Sequence, residues 1–133
     1  MGAGFYENTN GVPLENGRVH HLGLAPGEVA NRVVSVGSLS RATLLRGLLD
    51  APGFELTSPR GFTTFTGTFE GVAVSIVATG MGGPMMDFVV RETRAVTAGP
   101  MSFVRLGSCG GVSEAAAPGV VVANTPGSVA LSR

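Results

Sequence analysis

RVVSVGSLSRATLLRGLLD, Arg32–Asp50, joins two periodicities at one glycine. Arg32–Val36 is a β-branched run of the kind that favours extended backbone. From Ser40 to Asp50 the leucines recur at helical spacing, and Pro52 and Gly53 are expected to stop that helix. A strand that passes through Gly37 into a helix is the building unit of an α/β fold.

The flanking sequence extends this pattern. Phe54–Ser58 reads as a strand. Phe62–Thr68 and Val72–Thr79 are rich in β-branched residues and meet at Glu70-Gly71, which predicts a hairpin whose turn residues are not the most favourable pair. Gly80–Pro84 (GMGGP) is a glycine turn with proline placed to open a helix. That helix is expected over Met85–Thr97, with Met85, Met86, Val89, Val90 and Val96 on its apolar side, and Gly99-Pro100 ends it. Ser102–Leu106 and Gly119–Ala123 (GVVVA) read as further strands. The order strand, helix, hairpin, helix, strand, strand predicts an α/β fold with a mixed β-sheet flanked by helices.

The GVVVA run is continuously apolar, as in a strand buried on both faces. Only ten residues follow it, too few for a covering helix, so the fold is expected to be incomplete at the C-terminus and the chain to be a partial product. Residues 1–20 read as a polar leader and 21–133 as the folded part. The leader has neither the basic start nor the apolar stretch of a signal peptide.

Composition narrows the function. Of 133 residues, 44% are hydrophobic and only 14% charged, well below the ~25% charged share of an average chain. A partner or further sequence is expected to cover part of the surface. The formal net charge is zero, which gives no argument for nucleic acid or an anionic membrane. All nine cations are arginine. The absence of lysine excludes a Schiff-base lysine and a P-loop within this chain, while the arginine fork remains well matched to phosphate oxygens. One cysteine cannot form an internal disulfide, and a reducing, cytoplasmic setting fits. No apolar run reaches the ~20 residues needed to span a bilayer.

Four segments carry candidate chemistry. Val36–Arg41 (VGSLSR) ends a strand in Gly-Ser and opens a helix with an arginine in its first turn. The residues fit a phosphate cradle, or a plain N-cap by Ser38 or Ser40. Ser58–Thr64 (SPRGFTT) puts Arg60 in a loop, where a solvated arginine is the simpler reading. Val104–Gly111 (VRLGSCGG) places Arg105 inside an apolar strand. A buried guanidinium needs a partner, and the alternatives are an anionic ligand at the strand end, aided by Ser108, or a salt bridge to Glu92. Thr79–Asp87 (TGMGGPMMD) imitates a dinucleotide fingerprint but has Met85 where the third glycine belongs, and no acid follows the next strand. Cys109 lacks a nucleophile's context and reads as a small buried residue. The adjacent His20 and His21 lack the spacing of a metal pair.

Taken in order, HLGL (21–24), VGSLSR (36–41), SPRGFTTFTG (58–67), VATGMGGP (77–84) with Glu92, and RLGSCGG (105–111) resemble the N-terminal half of the nucleoside phosphorylase family. The resemblance is to the hexamer-forming type that includes uridine phosphorylase and bacterial purine nucleoside phosphorylase, and it spans about His21 to Val129. It implies a phosphorylase-type αβα sandwich. It also implies that Gly37 and Arg41 form a first phosphate-binding turn and that Arg105 and Ser108 form a second. Arg60 would reach the phosphate of a neighbouring subunit, and His21 that neighbour's ribose near the 5′-hydroxyl. Thr79, Gly80 and Met81 would lie beside the nucleoside, and Glu92 matches the acid of the family signature.

The implied reaction is phosphorolysis of the N-glycosidic bond, uridine and phosphate giving uracil and ribose 1-phosphate. It needs no metal and no organic cofactor. The implied partners are inorganic phosphate, a nucleoside and further copies of the chain in a dimer-based homo-oligomer. FTT after Arg60 favours uridine, whereas RLGSCGG and FTG lean towards a purine enzyme; uridine is the preferred reading. The sequence departs from the family where Gly37-Ser38-Leu39 replaces the usual Gly-Asp-Pro, and where Met85 replaces the serine after the signature proline. The family's base-recognition and ribose-gripping segments are absent, so a catalytically inactive fragment or partner subunit is the alternative.

Overall fold

The β-branched run Arg32–Val36 forms strand β3 at the heart of a five-stranded mixed sheet. The computed structural model describes residues 11–124. In chain order the elements are β1 (Leu14–Glu15), β2 (Arg18–Val19), β3 (Arg32–Val36), α1 (Leu39–Arg46), β4 (Ala51–Thr57), β5 (Thr63–Phe69), β6 (Val72–Ala78), α2 (Gly83–Ala95) and β7 (Ser102–Leu106). The sheet order is β4-β5-β6-β3-β7. β3 runs parallel to β6, with Val33 opposite Ser75 and Val36 opposite Ala78. It also runs parallel to β7, with Ser35 opposite Arg105 and Val36 opposite Leu106. β4 and β5 join antiparallel.

Alternation along the strands divides the core between two faces. On one face Val33 and Val77 pack with Val89 and Val96 around α2, together with Val19, Leu22, Leu24, Val29 and Phe62. On the other, Val36, Ile76, Ala78 and Phe65 enclose Ala42 of α1. With a helix on each face, the sheet is the middle layer of an αβα sandwich. Burial of each large apolar side chain contributes roughly 1.5–3 kcal/mol. Hydroxyls inside the sheet tie down the loop before β3: the Ala30 amide donates to Ser75 Oγ at 2.8 Å, Ser75 Oγ lies 2.6 Å from Thr66 Oγ1, and Thr66 donates to the Glu28 carbonyl at 2.8 Å.

Several expectations are corrected. The first helix ends at Arg46, with Gly47 as its C-cap, and Pro52 and Gly53 do not stop it. They lie in β4, an edge strand, where the register shifts between Pro52 and Phe54. Proline is tolerated there because an edge bulge does not require its missing N–H. Val90 is 46% exposed and stands off the apolar side of α2, while the half-buried Phe88 packs against the core.

The strand expected over Gly119–Ala123 does not form, and Val121 is 91% exposed. An apolar run becomes a strand only when a neighbour takes up its hydrogen bonds, and among the described residues β7 pairs with β3 alone. Cys109 is exposed rather than buried. Within the segment read as a polar leader, β1 and β2 pair as a small hairpin and Val19 enters the core, so the folded body begins ahead of His21. Residues 1–10 of that leader, and the resemblance beyond residue 124, lie outside the described residues. Among the described residues no helix is long and apolar enough to cross a membrane, and no three metal-ligating side chains cluster.

Candidate functional site

Three parallel strands, β3, β6 and β7, end at the same edge of the sheet, and each is followed by a glycine within two residues. The carboxyl ends of parallel strands are where α/β sheets gather ligand-binding groups. Gly37 follows β3, Thr79 and Gly80 follow β6, and Gly107 and Ser108 follow β7. The Thr79 amide donates to the Val36 carbonyl at 2.8 Å, and its hydroxyl donates to the same oxygen at 3.1 Å. These bonds knit β6 to β3 at the site's edge.

Arg105 reaches this edge from the α2 side of the sheet, since it stands opposite Ser35, whose hydroxyl lies 3.7 Å from Met86 Sδ. Its guanidinium donates to Thr79 Oγ1 and, at 3.4 Å, to the Gly80 carbonyl. Arg105 is exposed, not enclosed as the apolar strand context suggested, because among the described residues β7 has a neighbour on one side only. The alternative salt bridge to Glu92 is absent. A Cβ at Gly37 would lie 3.4 Å from Arg105 Nη2 and 3.6 Å from both Sδ and Cε of Met81, so the glycine leaves room for both side chains.

Arg41 comes from α1, on the opposite face, and its Nη2 donates to Ser108 Oγ at 3.3 Å. Ser38 is the N-cap of α1 and accepts from the Arg41 amide at 3.4 Å. The cap and cradle readings are therefore compatible: Ser38 holds one amide, and the remaining first-turn amides and the positive end of the helix dipole lie at the same edge. Among the described residues neither Arg41 nor Arg105 meets a carboxylate. Two guanidiniums without internal counter-charges, beside helix amides and hydroxyls, are suited to an oxyanion.

Seven of the expected site residues thus share one edge: Gly37, Arg41, Thr79, Gly80, Met81, Arg105 and Ser108. Among the described residues, no hydrogen bond joins Arg60 or His21 to this group. Arg60 Nη2 lies 2.9 Å from His20 Nε2. His21 is held by Glu92, which is buried on α2: Nδ1 lies 2.5 Å from Oε1, and the carboxylate also accepts from the His21 and Leu22 amides at 3.0 and 2.8 Å. The His21 ring stacks on Phe88, with centroids 3.8 Å apart and planes at 19°.

Sequence reasoning missed His20 and Phe88. The signal for Phe88 was present, because Phe88 and Glu92 stand four residues apart on α2 and share a helix face. His20 carried no such signal, since its approach to Arg60 joins segments 40 residues apart.

Residues 31–125 match the family model of the phosphorylase superfamily, and the chain belongs to that family. It is 32% identical over 108 residues to the uridine phosphorylase of Thermococcus kodakarensis, covering 81% of this chain and 36% of that protein. It is 34% identical over 94 residues to a DeoD-type purine nucleoside phosphorylase of Shewanella oneidensis, covering 71% of this chain and 39% of the relative. Among solved structures it superposes on a uridine phosphorylase of the oomycete Phytophthora capsici with a TM-score of 0.76 and 59% identity, over 83% of this chain and 38% of that one. The chain therefore spans well under half the length of the relatives it matches.

Proposed function

We propose that this chain forms the phosphate-holding part of a nucleoside phosphorylase that acts on uridine. The observation that carries this reading is the meeting of Arg41, Arg105, Ser108, Thr79 and Gly37 at one sheet edge, with no carboxylate partner on either guanidinium among the described residues. Phosphate held there attacks the anomeric carbon of a nucleoside as the base departs, giving ribose 1-phosphate. The transition state pairs a cationic sugar with an anionic nucleophile, so the protein's contribution is positioning and preorganised charge. Met81 and Gly80 border the nucleoside. Arg60 and His21 serve the phosphate and ribose of a neighbouring copy in a homo-oligomer; among the described residues of one chain, no hydrogen bond ties either to the edge cluster. Uridine is preferred to a purine nucleoside because the 59% identical structural neighbour is a uridine phosphorylase.

The second reading is a partner subunit or inactive fragment, favoured by the 36% and 38% spans of the relatives. Titration of the 133-residue chain with inorganic phosphate, followed by calorimetry, tests the site itself. Binding is expected, and Arg105→Ala is expected to weaken it by about tenfold or more. Binding that is absent, or unchanged in Arg105→Ala, would overturn the phosphate site. Uracil release from uridine and phosphate by the same chain separates the two readings: turnover supports a working site, and phosphate binding without turnover supports the partner or fragment.

A further inference from the structure

Glu92 spends its whole carboxylate on two consecutive residues. It accepts from the backbone amides of His21 and Leu22 and contacts the His21 ring at Nδ1. Leu22 is buried, so its amide has no recourse to water, and Glu92 must remain an acceptor towards it. Both oxygens of Glu92 already accept from backbone amides, and a carboxylate has only acceptors to offer, so the hydrogen of the Nδ1···Oε1 contact comes from the ring. In a neutral imidazole, a proton on Nδ1 leaves Nε2 as a bare acceptor. Phe88 clamps the ring face and His20 meets its edge, with centroids 5.1 Å apart. Among the described residues no group bonds His21 Nε2, and the side chain is 24% exposed.

We propose that Glu92 is a positioning residue that fixes His21 in the Nδ1–H form and so presents Nε2 to accept a hydrogen bond from a sugar hydroxyl. The assignment of the hydroxyl to the ribose rests on the function proposed above; the control of the tautomer does not. Substituting Glu92→Gln makes the inference sharp. The Leu22 amide keeps the side-chain oxygen as its acceptor, which turns the amide NH2 towards His21. Nδ1 must then become an acceptor and the proton must move to Nε2. The acceptor for the hydroxyl is lost although the shape of the site is kept.

Nitrogen-15 NMR of the imidazole in the 133-residue chain, at a pH where the ring is neutral, reads this directly. The expected result is a protonated Nδ1 and an unprotonated Nε2, with the ratio shifted towards Nε2–H by about tenfold or more in Glu92→Gln. A wild-type ring protonated on Nε2, or a variant that keeps the wild-type form, would overturn the proposal. Should Glu92→Gln fail to fold, the wild-type spectrum alone still decides. Added uridine is expected to move the Nε2 resonance of the wild type, and a stationary resonance would overturn the hydroxyl contact. Failure of the phosphorylase reading would appear instead as lost phosphate binding at Arg41 and Arg105, with the His21 spectrum unaffected.

Discussion

Arg105 on β7 donates to the hydroxyl of Thr79 at the end of β6, and Thr79 in turn donates to the Val36 carbonyl at the end of β3. One short relay therefore links the ends of three parallel strands and aims a guanidinium along their shared edge. A charge held this way is set before any ligand arrives, which is what electrostatic preorganisation requires.

That relay makes Thr79 a support for Arg105. Thr79→Val keeps the side-chain shape but removes the acceptor, leaving the guanidinium free to swing. Phosphate affinity is expected to fall, though by less than in Arg105→Ala or Arg41→Ala, and stability to fall by about 1 kcal/mol. Calorimetric titration and urea unfolding of the same samples check both effects. Equal affinity in Thr79→Val and wild type would show that the relay does not position the arginine.

The close approach of β4 to β5 depends on Gly67. A Cβ there would lie 2.5 Å from the Ala51 carbonyl oxygen and 3.0 Å from Leu49 Cδ1. Gly67→Ala is expected to destabilise the protein by about 1–3 kcal/mol, the scale of overpacking. Gly83→Ala is the control, because a Cβ at Gly83 meets nothing within 4 Å. Urea midpoints of the two variants should separate clearly.

The turn between β5 and β6 is strained at one residue. Glu70 has φ 49° and Gly71 has φ 74°, so both central positions are left-handed, as a two-residue turn of this hand demands. Glutamate is poorly suited to that region, whereas asparagine tolerates it. Glu70→Asn is expected to raise stability by about 0.5 kcal/mol, read as a higher urea midpoint with an unchanged slope.

Glu28 gives stability an acid limb. Its carboxylate takes a two-pronged contact from Arg18, at 2.6 and 2.7 Å, and an amide hydrogen bond from Ala25 at 2.9 Å. The Arg18 hydrogen bonds lower its pKa most; partial burial opposes them, and the Ala25 amide and the charge of Arg18 add to the lowering. A carboxylate whose folded pKa is depressed stabilises the fold fully above the ordinary glutamate value, ~4.3, and loses that contribution as pH falls through the lower folded value. The wild type should therefore lose stability on acidification below about pH 5 more steeply than Glu28→Gln. Thermal melts of both proteins between neutral pH and pH 3 would show parallel curves if the pair contributes nothing.

Much of this protein is written locally. The β-branched run Arg32–Val36, the hairpin around Glu70-Gly71, the proline-opened helix α2 and the strand Ser102–Leu106 follow from side-chain periodicity and turn chemistry, which act between near neighbours. The glycines at the strand ends, Arg41 and Arg105 are visible in the sequence, but taken singly each segment has an ordinary structural reading, and it is the family resemblance that groups them. Sheet neighbours are a different matter. Pro52 and Gly53 stop a helix by local rules, yet they sit in β4 because that strand lies at an edge with room for a bulge. The apolar run at Gly119–Ala123 satisfies the local criteria for a strand and forms none, since among the described residues no adjacent strand takes up its hydrogen bonds. Arg105 owes its exposure to β7, which among the described residues has a neighbour on one side only. The grip of Glu92 on His21 and of Arg60 on His20 joins segments 71 and 40 residues apart. Such contacts depend on where the sheet brings distant backbone together, and only the tertiary structure decides that.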